Sequence, residues 1–537
     1  MAASIVDSVR AHAISKPAAA AFVFVRRHDD PGETLTWAEL WSSAGAVAAA
    51  IPAAAGPRPA AFLCCSDEKA FVIACLAAWR RGLTIIPAAG GFTARIAERN
   101  RHILLVSKPD IVLHDLPAQQ LAELERLAPQ AAFVSALHSV SDQREPEAAA
   151  AEGGLLQFTS GSTSAPKAVL LSAREIESNC AAIARSFAIQ PDDVVVHWLP
   201  LFHDMGLVGS VLIPLFTGCT SVILRTIVFM QRPAAWLEHL ARWRGAITSA
   251  PNFAYERLCD ACKASDLAAL DLSRLRSIIF GGEPVLEGTV SRLCALLAAC
   301  GVTPGSIAPA YGMAEVTLLV SSGQRPEGAL FERRHTTAAT ACVGPGIAEL
   351  EISLRDPETG AAIADGAVGE IWLSGASAGQ ILAPEDDWRN PPRKQPIRTG
   401  DFGYLVQGQL FITGRSARKL IIRGKNVFAE DVERLVQESQ PSGLIAGVAA
   451  IGLDSGGSQQ LCILVEIMRR KGQADLAALN AAVVAGLGVK PARIVTLRAG
   501  TLPRTSSGKI RHDVARRQFL TGAFEAEIIG HAIQTHD

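Results

Sequence analysis

The sequence predicts an α/β protein with a large N-terminal domain of several subdomains and a small, mobile C-terminal domain. Short apolar runs that suit buried strands, such as 83–87, alternate with helical stretches such as 68–81. This alternation is typical of α/β architecture. The length of 537 residues allows more than one domain, and a composition of 49% hydrophobic and 19% charged residues predicts a globular chain with a large core.

Charge and composition exclude several classes of protein. A net charge of −1 provides no overall basic surface, so nucleic acid is not an expected partner. Residues 1–20 lack the apolar core of a signal peptide, and no apolar run reaches the roughly 18 residues that a membrane span needs. The 11 Cys are scattered through apolar segments, which is typical of reduced thiols. We therefore expect a cytoplasmic protein without a membrane span.

A hydroxyl-rich loop lies between two predicted strands, 155–158 and 169–171. Its residues are Thr159, Ser160, Gly161, Ser162 and Thr163, and Lys167 follows. Hydroxyls and backbone N–H groups can surround a polyphosphate, and Lys167 adds a positive charge for the outer phosphates. The spacing differs from that of P-loop NTPases, because Ala168 and a strand follow the lysine. The loop therefore suggests another kind of nucleoside triphosphate site; the alternative is an ordinary surface connection.

The next predicted strand, 194–200, ends in a string that contains His203. Before it, Ser172 and Glu175 form a capping box at the start of a predicted amphipathic helix. After it, the apolar stretch 207–216 predicts a second helix. A histidine at a strand end can be a satisfied core or turn residue or a catalytic one, and the pattern by itself leaves both interpretations open.

Two further predicted strands, 276–280 and 307–310, deliver polar groups at their ends. Ligands of open α/β sheets bind outside the carboxyl ends of the strands, so these ends predict one shared cleft. Glycines allow a flat base to approach, Tyr311 offers a stacking face, and the carboxylate of Glu315 can hold Mg²⁺. The residues concerned are Gly281, Gly282, Glu283, Ala310, Tyr311, Gly312, Met313 and Glu315.

A carboxylate and a lysine complete the set of candidate residues. Asp401 follows a short strand pattern, and its two oxygens can accept hydrogen bonds from both hydroxyls of a ribose; the alternative is a turn-capping role. The predicted domains are 1–414 and 415–537. The second is a compact α/β unit with strands at 420–423, 447–453 and 461–467 and helices at 429–440 and 475–486. It carries Lys509 in a loop before its terminal helix.

These strings together resemble the adenylate-forming superfamily of acyl, aryl and aminoacyl ligases, with five motifs in the family's order across essentially the whole chain. The strings around His203 and Tyr311 are most similar to the fatty acyl-AMP ligase branch. The resemblance implies that Lys509 is the catalytic lysine, that His203 lies near the substrate carboxylate, and that the helix 207–216 lines the acyl pocket. It also places the remaining candidates, including Arg415, around ATP: 159–163 and Lys167 at the phosphates, 281–283 and 310–313 at the adenine, Asp401 at the ribose and Glu315 at Mg²⁺.

The chain departs from the family pattern at several positions. Ser164 and Ala168 stand where the family usually has Gly, and Ala417–Arg418 stand where it usually has the Lys-Asp pair that contains its hinge. Ser210 replaces a Gly that is frequent in the branch, which predicts a narrower acyl pocket. The polar and irregular segment 322–341 predicts a loop. The stretch 321–344 is shorter than the insertion that the family associates with refusal of coenzyme A.

The predicted activity is ATP- and Mg²⁺-dependent conversion of a carboxylic acid, expected to be fatty, to acyl-AMP, followed by transfer to the phosphopantetheine of an acyl carrier protein. The alternatives are an acyl-CoA synthetase and an inactive adenylate-binding or carrier-docking protein, although retention of Lys509, Glu315 and Asp401 argues against inactivity. Cations near the predicted site would attract an acidic carrier protein, unless they are ordinary solvated charges. They are Arg415, Arg418, Lys419, Arg423, Lys425, Arg504, Arg511, Arg516 and Arg517.

Overall fold

The fold is known from a computed structural model. It describes residues 4–54, 56–90, 94–137, 153–159, 167–334, 339–415, 418–422, 425–441, 443–455, 458–468, 472–505 and 508–533. Four sheets with helices packed on them confirm the predicted α/β class. No helix in these ranges is long and apolar enough to cross a bilayer.

The larger part of the chain contains three sheets. Its strands are β1 (Ala20–Val25), β2 (Glu33–Thr36), β3 (Ala60–Cys64), β4 (Thr84–Pro87), β5 (Ile111–His114), β6 (Ala132–Ser135), β7 (Leu155–Thr159), β8 (Lys167–Leu171), β9 (Val194–His197), β10 (Thr220–Leu224), β11 (Ile247–Ala250), β12 (Ser277–Phe280), β13 (Ile307–Gly312), β14 (Leu319–Ser322), β15 (Phe331–Glu332), β16 (Thr340–Gly344), β17 (Leu350–Arg355), β18 (Gly369–Gly375), β19 (Gln380–Leu382), β20 (Ile397–Val406) and β21 (Gln409–Arg415).

Thirteen α-helices lie in the described ranges of the same part. They are α1 (Ile5–Ser15), α2 (Trp37–Ala50), α3 (Glu68–Arg80), α4 (Ala94–Ser107), α5 (Ala118–Leu127), α6 (Ala173–Ser186), α7 (Asp204–Leu207), α8 (Ile213–Thr217), α9 (Thr226–Gln231), α10 (Ala234–Arg242), α11 (Asn252–Ala261), α12 (Ala264–Leu267) and α13 (Glu287–Leu297). A π-helical turn, Val208–Leu212, joins α7 to α8, so the predicted helix 207–216 is continuous but not regular.

Two largely parallel sheets form the body of this part. One has the order β14-β13-β12-β11-β9-β10-β1-β2, with antiparallel strands only at its two edges. The other has the order β19-β8-β7-β4-β3-β5-β6, in which β8 is antiparallel to both of its neighbours, β7 and β19. A single apolar core joins residues from both sheets, and α3 lies in it with every residue from Ala70 to Arg80 buried. Parallel strands covered on both faces explain the continuous apolar runs in the sequence.

The third sheet is antiparallel, in the order β15-β16-β21-β20-β18-β17. Its first two strands lie in or directly after the segment 322–341, which the sequence predicted to be a loop. This prediction was partly wrong, because Phe331 pairs with Ala341 and Glu332 with Thr340. Only two residues of β15 are paired, which is too short a run to give a visible alternation of apolar and polar residues.

The smaller part is the compact α/β unit that the sequence predicted. Its strands are β22 (Lys419–Ile422), β23 (Lys425–Phe428), β24 (Ile445–Ser455), β25 (Ser458–Ile467), β26 (Arg493–Arg498) and β27 (Ile528–Ile533), and its helices are α14 (Ala429–Glu438), α15 (Leu476–Leu487) and α16 (His512–Leu520). The fourth sheet starts at Lys419, whereas Arg415 still belongs to the third sheet. The division between 414 and 415 stays a prediction.

Candidate active site

One large cavity of about 2000 Å³ lies where the carboxyl ends of the parallel strands face the smaller part of the chain. Every predicted site residue that the structure describes lines it. These residues are Thr159, Lys167, His203, Gly281, Gly282, Glu283, Ala310, Tyr311, Gly312, Met313, Glu315, Asp401, Arg415 and Lys509. Ser160, Gly161, Ser162 and Thr163 lie outside the described residues. The strands therefore bring together side chains that are up to 350 positions apart in sequence, as convergence at a sheet edge predicts.

Asp401 is the centre of a buried polar group at one side of this cavity. It is 2% exposed, accepts a hydrogen bond of 2.6 Å from the Tyr311 hydroxyl, and lies 2.6 Å from Nε of Arg415. Burial, and then the Asp401 charge, raise the pKa of Tyr311, so the phenol stays a donor. Each carboxylate oxygen keeps acceptor capacity beyond these contacts, which suits the two hydroxyls of a ribose.

Lys509 reaches the same cavity from the smaller part of the chain. Its Nζ lies so close to the Gly282 backbone that a β-carbon there would be 3.2 Å from it, and Gly508 packs equally closely against the Phe253 ring. Burial lowers the pKa of Lys509, while the carboxylates of Asp204 and Glu283 oppose this shift. The ammonium group is thus partly desolvated beside anionic groups, which is where it can stabilise developing negative charge strongly.

An arginine holds the loop that carries Lys509. Arg504 donates to the carbonyl of Gly508 at 3.1 Å and to Glu466 at 2.7 Å, and Glu466 is fully buried in β25. The backbone N–H of Lys509 also donates to the Thr505 hydroxyl at 3.1 Å. Side chains of the fourth sheet therefore fix the position of the loop.

His203 precedes α7, and its Nδ1 lies 3.0 Å from the Asp204 carboxylate. The pKa of Asp204 falls to about 2, because the hydrogen bond from His203 and the charges of His203 and Lys509 outweigh its burial. Asp204 therefore orients the His203 ring and stays ionised near Lys509. The sequence motif predicts a role for His203 but gives no signal for Asp204, although it is the next residue.

Glu315 lies in the 3₁₀ turn Ala314–Val316 and lines the same cavity. Burial raises the pKa of its carboxyl group, and the neighbouring charges of Asp204 and Asp401 raise it further. A buried carboxylate among other carboxylates is a position that a divalent cation stabilises. No cluster of three or more possible metal ligands occurs among the described residues. This is compatible with Mg²⁺, which usually takes one or two carboxylates and completes its shell with phosphate oxygens and water.

The structure adds Arg99 to the charged residues that line the cavity. The Arg99 guanidinium donates to the carbonyl of Phe158 at 3.2 Å and lies 5.3 Å from the centre of the Phe202 ring. It therefore lies next to the start of the hydroxyl-rich loop, and none of the described acidic residues pairs with it. Sequence reasoning missed it because a single arginine in an amphipathic helix is indistinguishable from a solvated one.

The cavity also extends into an apolar part lined by Ile183, Phe187, Ile189, Val195, Ile213 and Ile247. α6 and the π-helical turn contribute to its walls, as expected for an acyl pocket. Ser210, however, does not narrow it: the side chain is fully buried, and Gly209 faces the cavity instead. This prediction was wrong because the π-helical turn rotates the residues that follow Leu207 relative to a regular helix.

Several of the cations near the cavity have internal partners. Arg418 pairs with Glu430 at 3.0 Å and with Glu433, and Arg415 and Arg504 pair with Asp401 and Glu466. These three are therefore poor candidates for attracting a partner. Arg511 and Arg517 line the cavity and have no ion pair with any described carboxylate.

Comparisons with known proteins identify the family of this chain. Residues 9–380 match the sequence model of the family described as AMP-binding enzyme. The chain belongs to this family. The long-chain-fatty-acid–AMP ligase FadD26 of Mycobacterium marinum is 30% identical over 97% of this chain and 98% of its own length. The medium-chain-fatty-acid–[acyl-carrier-protein] ligase JamA of Moorena producens is 28% identical over 97% of this chain and 96% of its own.

Solved structures are similar over nearly the whole chain. One, from a study of fatty acyl-adenylate ligases from E. coli and L. pneumophila, superposes with a TM-score of 0.81 at 26% identity and covers 98% of this chain and 99% of its own. These findings confirm the resemblance to the adenylate-forming superfamily and its fatty acyl-AMP ligase branch. This member of the family is an ATP-using ligase that adenylates a carboxylic acid.

Proposed function

We propose that this ligase joins a fatty carboxylic acid to AMP in the cavity between the two parts of the chain and then transfers the acyl group to the phosphopantetheine thiol of an acyl carrier protein. The observation that carries the proposal is the position of Lys509. Its ammonium group lies beside Gly282, in the same cavity as Asp401 and Tyr311. A nucleotide bound at the strand ends would therefore have its α-phosphate within reach of a mobile cation.

The nucleotide would be held by the larger part of the chain. Asp401 accepts hydrogen bonds from the ribose hydroxyls, and the backbone at Gly281 and Gly282 accommodates the adenine, with Tyr311 beside it. Gly282 has a φ of +76°, a conformation that residues with a β-carbon rarely adopt. Lys167 and the hydroxyl-rich loop bind the outer phosphates. Arg99, next to that loop, adds a second positive charge for the departing pyrophosphate.

In the first reaction an oxygen of the substrate carboxylate attacks the α-phosphorus of ATP. The bond from this phosphorus to the bridging oxygen breaks, and pyrophosphate leaves with the electron pair. Two anions must approach each other, so the residues act mainly by positioning and by neutralising charge. Lys509 bridges the carboxylate and the α-phosphate, while His203, oriented by Asp204, lies at the carboxylate end. Glu315 would hold Mg²⁺, which when bound neutralises charge on the phosphates.

In the second reaction the thiol loses its proton to solvent and its sulfur attacks the acyl carbonyl carbon. The bond from this carbon to the AMP oxygen breaks, and AMP leaves with the electron pair. Two observations support a carrier protein as the source of this thiol. JamA is named as an acyl-carrier-protein ligase, and Arg511 and Arg517 are cations at the cavity without a described acidic partner. An acidic carrier would be attracted to them at moderate ionic strength. The alternative acceptor is free coenzyme A.

The deciding experiment supplies the purified protein with ATP, Mg²⁺ and a medium-chain acid, then adds either coenzyme A or a phosphopantetheinylated carrier protein. We expect thioester only with the carrier and accumulated acyl-AMP with coenzyme A. Charge reversal of both Arg511 and Arg517 to Glu should lower kcat/KM for the carrier several-fold at low salt without a similar loss of pyrophosphate exchange. The matched control is Arg10→Glu, an exposed site on α1. Rapid formation of acyl-CoA would favour the synthetase alternative.

A further inference from the structure

A polar pair of side chains lies at the apolar part of the cavity. His197 and Ser249 are 2% and 5% exposed, and both line the cavity. Nδ1 of His197 lies 3.3 Å from the Ser249 hydroxyl. Nε2 faces the side of the cavity formed by Gly209, where an added β-carbon would lie 3.6 Å from it. Polar atoms that line an apolar part of a cavity are suited to a ligand that brings a hydrogen-bonding group to them, because an apolar ligand there would leave them without a partner.

The sheet register shows how this pair is placed. β9 and β11 are parallel neighbours with Val195 opposite Ile247, which puts His197 opposite Ser249. Side chains two residues apart share a face of the sheet, so all four point to the same side. The polar pair therefore lies one row nearer the strand ends than the apolar pair formed by Val195 and Ile247.

The depth of the pair follows from the same register. Ser249 is opposite Ile279 in β12, and Gly281 at the nucleotide end follows two residues later. At a rise of roughly 3.3 Å per residue, the pair lies about 7 Å from the level of Gly281. An acyl chain that runs from the reacting carboxylate into the apolar part of the cavity would pass the polar pair before it reaches Val195 and Ile247.

The protonation state favours one class of ligand group. Burial lowers the pKa of His197 to about 4, so the imidazole is neutral at neutral pH and carries a single N–H. If the Ser249 hydroxyl donates to Nδ1, Nε2–H is a donor; in the other tautomer Nε2 is an acceptor. A hydroxyl group can both donate and accept, so it satisfies either tautomer, whereas a methylene satisfies neither.

We propose that His197 and Ser249 form a specificity site that selects carboxylic acids with a hydroxyl group part-way along the chain over unsubstituted fatty acids of the same length. The inference rests on the proposed adenylation of a fatty acid in this cavity and names the substrate class more closely. Because the two residues contact the chain and not the reacting atoms, they affect the choice of acid and not the adenylation step itself.

A substitution at Gly209 can block access to His197 and Ser249 while leaving both side chains in place. A β-carbon at this position would lie 3.6 Å from Nε2 of His197 and 3.9 Å from the Ser249 hydroxyl, which are ordinary contact distances. Gly209→Ala therefore places a methyl group in front of the polar atoms, and alanine suits a helical turn better than glycine does. Gly288→Ala is the matched control, because Gly288 lies in the first turn of α13, does not itself line the cavity and has open space around it.

The experiment measures acid-dependent exchange of pyrophosphate into ATP with decanoic acid and with its hydroxydecanoic isomers that carry the hydroxyl at each chain position. For the wild-type protein we expect one internal isomer to have a kcat/KM about tenfold above that of decanoic acid, the magnitude of one hydrogen bond. His197→Leu and Gly209→Ala should each abolish this preference, and Gly288→Ala should keep it. Melting temperatures of the variants check that each one folds.

The outcomes separate this inference from the proposed function. Exchange with decanoic acid but no preference for any isomer would overturn the specificity site and leave the ligase assignment intact; water would then be the partner of Nε2. A preference that persists in both His197→Leu and Gly209→Ala would place the hydroxyl elsewhere and also overturn it. Failure of exchange with every acid would refute the proposed function, and the inference with it.

Discussion

The two parts of the chain line the same cavity in different ways. The larger part provides its groups from the ends of paired strands, where Asp401, Tyr311 and Arg415 contact one another. The smaller part provides Lys509 from a loop whose support comes from Arg504 and the fourth sheet. The proposed nucleotide site is therefore part of a sheet edge, whereas the proposed catalytic cation belongs to the smaller unit, which the sequence predicts to be mobile. This difference predicts that binding and chemistry can be disrupted separately.

Lys509→Ala should have the largest effect, and it should fall on the chemistry. A unit charge about 3 Å from the reacting oxygens is worth roughly 5 kcal/mol at an effective dielectric of about 20. Loss of comparable stabilising groups typically costs about 10²- to 10³-fold in rate. Acid-dependent pyrophosphate exchange should fall by this factor, while ATP binding measured by calorimetry stays close to wild type. Lys490→Ala, an exposed lysine of the same domain, is the control; unaltered exchange in Lys509→Ala would refute the assignment.

Asp401→Ala should weaken ATP binding more than it slows the reaction. Ribose contacts form equally in the ground state and the transition state, so their loss raises KM and changes kcat less. Hydrogen bonds to a charged group are worth about 1.5–3 kcal/mol each, which predicts a KM for ATP about 10- to 100-fold higher. Asp401→Asn should show a smaller increase, because it keeps the shape and one acceptor. An equal loss in kcat and kcat/KM would remove Asp401 from the ribose role.

Arg504→Ala tests whether the loop of Lys509 must be held in place. We expect roughly a tenfold fall in kcat for adenylation with little change in KM for ATP, because misplacing a catalytic group by a fraction of an ångström is costly. Arg504→Lys should recover part of the rate, since an ammonium group can still pair with Glu466. The melting temperature is measured as well, because a purely structural role of Arg504 would lower it, whereas a positioning role lowers kcat at an unchanged melting temperature. A raised KM for ATP with normal kcat would contradict the positioning role.

The smallest expected effect is on the pH dependence of stability, and it comes from Glu256. This residue lies at the contact between the larger and the smaller part of the chain. Its carboxyl group accepts hydrogen bonds from Thr289 and, across the boundary, from Gln437, both at 3.0 Å. Burial raises its pKa to about 7, so the folded protein binds a proton that the unfolded chain loses near pH 4.5. The free energy of unfolding should therefore fall as pH rises from about 4.5 to 7 and level off above that range.

Glu256→Gln removes this contribution, because an amide does not titrate. Melting temperatures measured from pH 5 to pH 8 should decline less steeply in the variant than in the wild type. The difference between the two curves isolates Glu256 from Glu430 and Asp431, whose pKa values burial also raises, to about 7 and about 6. Parallel curves over the whole range would show that Glu256 does not titrate there.

The sequence alone determined the features that depend on local order along the chain. Strand patterns ending in Gly, acid and aromatic residues predicted which groups would meet, because parallel strands must deliver their carboxyl ends to one edge. The same reasoning gave the α/β class and the small C-terminal unit. The family strings then assigned Lys509, which no periodicity would have distinguished from a solvated lysine.

Tertiary structure decided what depends on residues far apart. His197 and Ser249 are 52 positions apart and meet only through the register of β9 and β11. Arg99 lies at the cavity because α4 packs beside β7, and the ion pairs of Arg418 and Arg504 remove charges that the sequence counted as available. The π-helical turn places Gly209 at the cavity and buries Ser210, which the sequence predicted to narrow the acyl pocket. Burial and pairing are properties of three-dimensional neighbours, so a linear pattern specifies which side chains are present but not which of them meet at the cavity.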